Sequence, residues 1–157
     1  AIMANVYSQV SIHAVFAVKG RQNFITADWR DRLHSYIAGT INGIHKEAKS
    51  LAVGGWKDHV HIFFGLPPAI AISDFVGEIK SNSSGWINKQ KLMLDRLKWE
   101  YGYGAFSYST RQRGSVINYI MNQEEHHRTK TFKEEYLKML HDFEVGYDEK
   151  YLFDFFE

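Results

Sequence analysis

Asp58-His59-Val60-His61-Ile62-Phe63-Phe64 is the stretch that most limits what this chain can become. On a strand, side chains alternate between faces with a period of two. Val60, Ile62 and Phe64 therefore share one face, and an apolar trio of that kind belongs in a core. His59 and His61 share the other face, one pleat apart. Two neutral imidazoles projecting from a stiff strand make a bidentate claw for a metal ion. Gly54-Gly55 before the stretch and Gly65-Leu66-Pro67-Pro68 after it punctuate both ends, so the strand is short.

A bare His-x-His is common by chance, and it usually means packed or surface histidines. A second stretch, Asn118-Tyr119-Ile120-Met121-Asn122-Gln123, changes its meaning. On a helix Tyr119 and Gln123 lie four apart and share a face. A phenol then sits beside a carboxamide oxygen able to act as a third ligand. Ile117, Ile120 and Met121 form the packing side of that helix.

Composition sets the frame. With 157 residues, 45% hydrophobic and 15% aromatic, the chain has enough apolar material for one core, and residues 1–157 read as one domain. Ala1 and Ile2, ahead of Met3, read as an added remnant. Exposed rings among the 11 Phe, 9 Tyr and 4 Trp would suit base stacking, although most will be packing residues. Zero Cys excludes disulfides and thiolate metal sites and fits a reducing cytoplasm. No apolar run is long enough to span a bilayer. The net charge of +1 is uninformative, but its distribution is not. Residues 80–113 hold seven basic side chains against Asp95 and Glu100, whereas six carboxylates and only Lys150 follow from His141 onward. A basic middle and an acidic tail suit one phosphate-facing side.

The remaining pattern predicts an α+β chain. Tyr7 to Lys19 alternates, with Val10, Ile12, Ala14, Phe16 and Val18 on the core face and Tyr7, Gln9, Ser11 and His13 opposite. Gly20-Arg21-Gln22-Asn23 breaks it. A helix capped by Thr26 runs to about Ala48, its Trp29, Leu33, Ile37 and Ile41 forming one buried stripe. Gly39 and Gly43 weaken that helix and leave room for a close approach to the sheet. Ser50 to Val53 pairs antiparallel with the His-Val-His strand. Ser73 caps a second helix with Val76, Ile79, Trp86 and Ile87 inside, and Gly104 to Ser109 is the last strand. Strand, helix, strand, strand, helix, strand is the ferredoxin-like (RRM-like) split β-α-β unit. Its first and third strands lie side by side, with both helices on one face and the other face open. A helix from Ser115 then carries Tyr119 and Gln123 to the open side. Thr131-Phe132-Lys133-Glu134 is a capping box for a last helix with Leu137, Leu140 and Phe143 apolar.

These residues resemble the HUH single-tyrosine transposases of small bacterial insertion sequences, including relatives associated with repetitive extragenic palindromes. The likeness rests on an ordered set. It runs through Val6-Tyr7-Ser8-Gln9, the stretch from Gly54 to His61, Ile79-Lys80-Ser81-Asn82-Ser83-Ser84-Gly85-Trp86 and Tyr101-Gly102-Tyr103-Gly104-Ala105-Phe106. It closes with Gly146-Tyr147-Asp148-Glu149-Lys150-Tyr151-Leu152. The resemblance implies attack by Tyr119 on single-stranded DNA, a 5′-phosphotyrosine link and a free 3′-hydroxyl. It also implies hairpin-ended DNA as partner and a homodimer in which the tyrosine often serves the partner's metal.

A divalent ion on His59, His61 and Gln123 would polarise the phosphodiester that an unactivated tyrosine cannot attack. Ligand softness favours manganese or zinc, whereas the resemblance implies Mg2+, with Mn2+ substituting. Arg111, Arg113, Lys80 and Lys89 are candidates for contacts to the DNA backbone. Tyr108 is the rival nucleophile, but it lacks a helical carboxamide partner. His126-His127 point about 100° apart if helical and read as solvated or phosphate-contacting. Two other functions stay open: a non-catalytic nucleic-acid-binding domain on the same fold, and a metal-dependent hydrolase without covalent catalysis.

Overall fold

A computed structural model describes residues 5–20 and 25–155. Ala1-Ile2 and most of the expected break, Arg21-Gln22-Asn23, lie outside the described residues. Four strands make one antiparallel sheet: β1 (Ser11–Ala17), β2 (Lys49–Gly55), β3 (His59–Gly65) and β4 (Gly104–Tyr108), in the order β2-β3-β1-β4. The expected central pairing of β1 with β3 holds, and its register sets Phe16 opposite Val60 and Val15 opposite His61. The first strand is shorter than its alternation predicts. Tyr7 and Val10 are exposed, and only at Ser11 does the chain gain neighbours on both sides.

One face carries α1 (Ala27–Ile44) and α2 (Ile72–Lys89). The predicted stripe of Trp29, Leu33, Ile37 and Ile41 is buried against Ile12, Phe16, Val60, Ile62 and Phe64. Val76, Ile79 and Ile87 of α2 complete that core, with Trp86 half-buried beside it. Thr26 occupies the position before α1, but its hydroxyl donates to Asp28 instead of capping a backbone N–H. Helix α2 starts earlier than expected, after Ala71, so Ser73 lies within its first turn. Gly39 and Gly43 do not approach the sheet. A methyl group at either would meet open space, because both lie on the exposed side of the α1 stripe.

The second face is not open. Helix α3 (Arg113–Met121) covers β2 and β3, where Val116 and Ile120 pack on Ala52 and Phe63. Helix α5 (Phe132–Asp142) covers β1 and β4, where Phe132, Tyr136, Met139 and Leu140 pack on Val15, Ala17 and Phe106. The Thr131–Glu134 capping box is formed as predicted. Met121, expected to pack, is exposed at the end of α3. That helix stops at Asn122, and Gln123 opens the short α4 (Gln123–His126) instead of continuing one helix.

Two glycines explain how closely these helices sit. A Cβ on Gly54 would lie 2.9 Å from Ile120 Cγ2 and closer still to the Ile120 carbonyl oxygen. Gly54 is the register partner of His61, so α3 rests on bare backbone beside the histidine pair. On the far side, a Cβ on Gly104 would lie 2.7 Å from the Tyr136 hydroxyl. The histidine face of β3 is thus walled in from both sides, and His59 and His61 are fully buried.

Candidate active site

Strand β3 presents both imidazoles to one carboxylate, Glu135, that no local sequence motif announces. Glu135 Oε1 lies 3.1 Å from His61 Nε2 and 3.2 Å from His59 Nε2. Glu135 sits on the apolar side of α5 between Phe132 and Tyr136, and it is itself buried. A carboxylate in that position is the sequence signal that was available, since a buried acid needs partners. His59, His61 and Glu135 have ligand atoms all within 4.8 Å of one another.

Each histidine is held from behind by a different group. His59 Nδ1 lies 2.7 Å from Asp58 Oδ1, and a carboxylate there fixes the ring with its Nε2 turned inward. Phe132 stacks flat against the same ring at 3.8 Å between centroids. His61 Nδ1 is instead 2.8 Å from Nε2 of the buried His13. Burial lowers the His59 pKa, but its hydrogen bonds to Asp58 and Glu135 prevail and raise it to about 9. For His61 burial wins over Glu135, and its pKa falls below the ordinary value. Burial together with neighbouring His61 holds His13 well below it.

Tyr119 and Gln123 meet the same carboxylate although Asn122 breaks their helix. The Tyr119 hydroxyl donates to Glu135 Oε2. Gln123 Nε2 donates to Glu135 Oε2 at 3.2 Å and to the Tyr119 carbonyl at 3.3 Å. Gln123 Oε1 is 3.1 Å from His59 Nε2. Burial and the charge of Glu135 push the Tyr119 pKa up, so the phenol holds its proton. Burial alone would raise Glu135, yet His61, His127 and His59 outweigh it and hold the acid far below the carboxylate range. Tyr108 lies at the end of β4 with its ring against Phe143 and Phe63, turned to an aromatic packing role.

His126 and His127 are not solvated in the way their adjacency predicts. Helix α4 ends at His126, so the helical spread of side chains no longer holds, and both rings turn toward Glu135. The basic candidates are scattered. Lys80 is on α2, across the sheet from the histidines, with its ammonium donating to the Glu100 and Gly102 carbonyls at 2.7 and 2.9 Å. Lys89 is exposed at the end of the same helix. Arg111 and Arg113 flank the start of α3, and Arg113 lines a groove of about 490 Å³ with Tyr7, Lys46 and Lys49. Another cavity, of about 510 Å³, opens directly on Tyr119, His126 and Glu135, with Lys130 and Lys138 on its wall.

The donor set fits a divalent cation. Imidazole nitrogens and carboxylate and amide oxygens converge here, with few hydrogens to share among them. The class comes from the match to a known family. The family model described as IS200-like transposase matches residues 6–123, and the chain belongs to that family. A crystal structure of a candidate transposase from Deinococcus radiodurans R1 superposes with a TM-score of 0.61 at 20% identity, covering 78% of this chain and 97% of the other. A REP-associated tyrosine transposase bound to a REP hairpin gives a TM-score of 0.56 at 15% identity, covering 81% and 74%. Both share the antiparallel sheet and helices. A search of curated proteins found no match. The family match ends at Gln123, so His126, His127 and Glu135 lie beyond it.

Proposed function

We propose that this transposase cleaves and rejoins single-stranded DNA through a covalent 5′-phosphotyrosine on Tyr119, with a divalent metal held by His59, His61, Gln123 and Glu135. One observation carries the reading: the Tyr119 hydroxyl and both strand histidines converge on a single buried carboxylate. The bound ion, Mg2+ or Mn2+, supplies charge to polarise the phosphodiester oxygen and orient the phosphorus. Tyr119 Oη attacks that phosphorus, forming an O–P bond, while the P–O3′ bond breaks. Glu135 Oε2 accepts the phenol's hydrogen bond and so aims Oη; the proton that Tyr119 loses as the O–P bond forms is matched by the one that the departing 3′ oxygen gains as it leaves as a hydroxyl. Rejoining reverses these steps, with a 3′-hydroxyl attacking the phosphotyrosine and the proton returning to Tyr119. Asp58 and His13 keep the two histidine rings aimed, and the Phe132 ring keeps water off one face of His59.

The DNA comes as a single strand with hairpin ends, a partner class supported by the hairpin-bound relative. Its backbone would run over Arg111, Arg113 and the lysines of the two cavities, with Lys80 and Lys89 reached only by DNA that wraps round the helix-covered side. The working unit is a homodimer in the cytoplasm. The contact of Tyr119 with Glu135 of its own chain supports action in cis.

The test is a labelled strand carrying the cleavage site, incubated with the protein and Mn2+. A protein-DNA adduct that survives denaturation is expected, and peptide mapping should find it on Tyr119. Tyr119→Phe should abolish the adduct while costing about 2 kcal/mol of stability, the scale of a hydrogen bond to a charged group. An adduct on another tyrosine, or none with the intact chain, overturns the assignment.

A further inference from the structure

Tyr108 packs against Phe143 and Phe63, yet it also lines the cavity of about 510 Å³ that opens on Tyr119. Met139 and Phe143 make the rest of its apolar wall. Cavities of roughly 300–1,000 Å³ with apolar walls and a few polar anchors are those that hold small ligands. The charged side chains around this one mostly satisfy one another. Lys138 Nζ lies 2.6 Å from Asp142 Oδ2, and Glu134 is taken up with Thr131 in the cap of α5. Glu135 belongs to the histidine cluster. Among the described residues the Lys130 ammonium has no ion pair and the Tyr108 hydroxyl no hydrogen bond. One cation and one hydroxyl therefore remain, beside an aromatic wall.

A single DNA strand carries the complementary groups. Its phosphates are anionic, and each unpaired base offers a π-face that stacks on aromatic rings whatever its sequence. The cavity is continuous with the nucleophile, because Tyr119 is part of its wall. A base next to the reacting phosphate is therefore the group brought to its mouth. The stereochemistry of attack decides which of the two flanking bases that is. In-line displacement puts the departing 3′ oxygen on the far side of phosphorus from Tyr119, so the strand it carries leads away from the tyrosine. The strand kept on Tyr119 joins phosphorus through its 5′ oxygen, to the side of that axis, and stays beside the tyrosine ring.

We propose that the cavity seats the base of the nucleotide retained on Tyr119, with Tyr108, Phe143 and Met139 as its wall and Lys130 against the phosphate backbone. The inference rests on the phosphotyrosine reading and adds a substrate-selecting site to it. The 5′-linked nucleotide is the one that has to keep its place between cutting and rejoining, while the 3′-ended strand exchanges. A seat for its base holds the phosphotyrosine in one orientation for the incoming 3′-hydroxyl. Tyr108 thus binds substrate instead of attacking it. Burial and the charge of Asp142 push its pKa up, so the hydroxyl keeps its proton and can donate to the edge of the base.

The experiment gives the full-length chain, with Mn2+, three labelled single strands that differ at one position. The first is intact, the second is abasic just 3′ of the cleaved phosphate, and the third is abasic just 5′ of it. Rates of adduct formation against strand concentration should show KM raised about tenfold or more for the second strand, with little change for the third. Tyr108→Leu should raise KM by a similar factor on the intact strand and leave the 3′-abasic strand unaffected, whereas a merely structural defect would slow both alike. Tyr108→Phe keeps the ring and should recover most of the loss. Should Tyr108→Leu fail to fold, the two abasic strands decide the matter on the wild-type chain. Equal KM for the intact and 3′-abasic strands overturns the proposal, and so does a loss confined to the 5′-abasic strand. Binding of the same strands to the Tyr119→Phe chain separates this proposal from the proposed function. Binding that depends on the 3′ base, with no adduct on the wild-type chain, keeps the base site and sinks the phosphotyrosine. An adduct on Tyr119 that is indifferent to that base does the reverse.

Discussion

The two faces of the sheet solve different problems with the same strand. Under α1 and α2, β3 offers Val60, Ile62 and Phe64 to a continuous apolar core. Under α3 and α5 it offers His59 and His61 to a carboxylate, a phenol and an amide, with separate apolar patches on either side. Burial is complete on both faces, so exposure does not distinguish them. What differs is whether the buried groups have finished their bonding. The apolar face gains by excluding water, whereas the polar face needs every lone pair and proton matched. A fold can therefore keep its stability on one side and its reactivity on the other.

The comparison breaks most visibly at the histidines. His61→Ala should reduce strand cleavage by more than about a hundredfold, the upper end of losses from merely supporting residues, and should also lower stability by about 2–3 kcal/mol, because it empties a fully buried position and leaves Glu135 and His13 each short of a partner. Unchanged cleavage would sink the metal reading of the β3 pair. The opposite test is Phe64→Ala, expected to cost about 3–5 kcal/mol by transfer and cavity terms. Metal affinity of the surviving folded fraction should stay unchanged; a change would show that the faces are coupled through β3.

Gly54→Ala sits between the two cases. The added methyl meets the Ile120 backbone and side chain, so α3 must move, at a cost of about 1–3 kcal/mol in overpacking. Cleavage should fall with it, because Tyr119 travels with Ile120; unchanged cleavage would detach the helix position from the chemistry. A mixture of Tyr119→Phe and His61→Ala chains should recover no activity, since Tyr119 lies on its own chain's Glu135; recovery means the helix is exchanged between chains.

The smallest effect concerns a proton. In the metal-free chain His59 lies at about 9, its bonds to Asp58 and Glu135 overcoming burial. A histidine raised above its unfolded value stabilises the fold fully below about pH 6.5 and loses that contribution as pH rises through its folded pKa. Nuclear magnetic resonance titration of His59 should give a midpoint near 9, and metal binding at pH 7 should release protons to buffer. A midpoint near the ordinary histidine value would mean that the two carboxylates do not act as a pair on this ring.

Periodicity made the apolar face legible. A period of two on β3 and of nearly four on α1 named its core residues, the tight connection paired β2 with β3, and the ferredoxin-like element order put β1 beside β3. The reactive face was read only where its parts were local. His59 and His61 are two apart, and Tyr119 and Gln123 four. Glu135 is more than seventy residues from the histidines, and nothing in local pattern ties them. The turn at Asn122 also defeated a helical reading, and with it went the true direction of His126 and His127. Gly54 and Gly104 were visible as letters but not as contacts, since close approach is a property of two elements at once.

Those two glycines have a further consequence. They lie on the outer strands β2 and β4, and each lets a helix touch the sheet's own backbone. The outer strands are three strand spacings apart, about 14 Å. The sheet therefore acts as a caliper: the slot between α3 and α5 is gauged by interstrand hydrogen bonds rather than by the loops that connect the helices. In the reaction proposed above, the nucleophile stays tethered to its substrate between cutting and rejoining, and a slot of constant width would serve both steps. The ladder of the sheet, which does not lengthen, supplies that constancy.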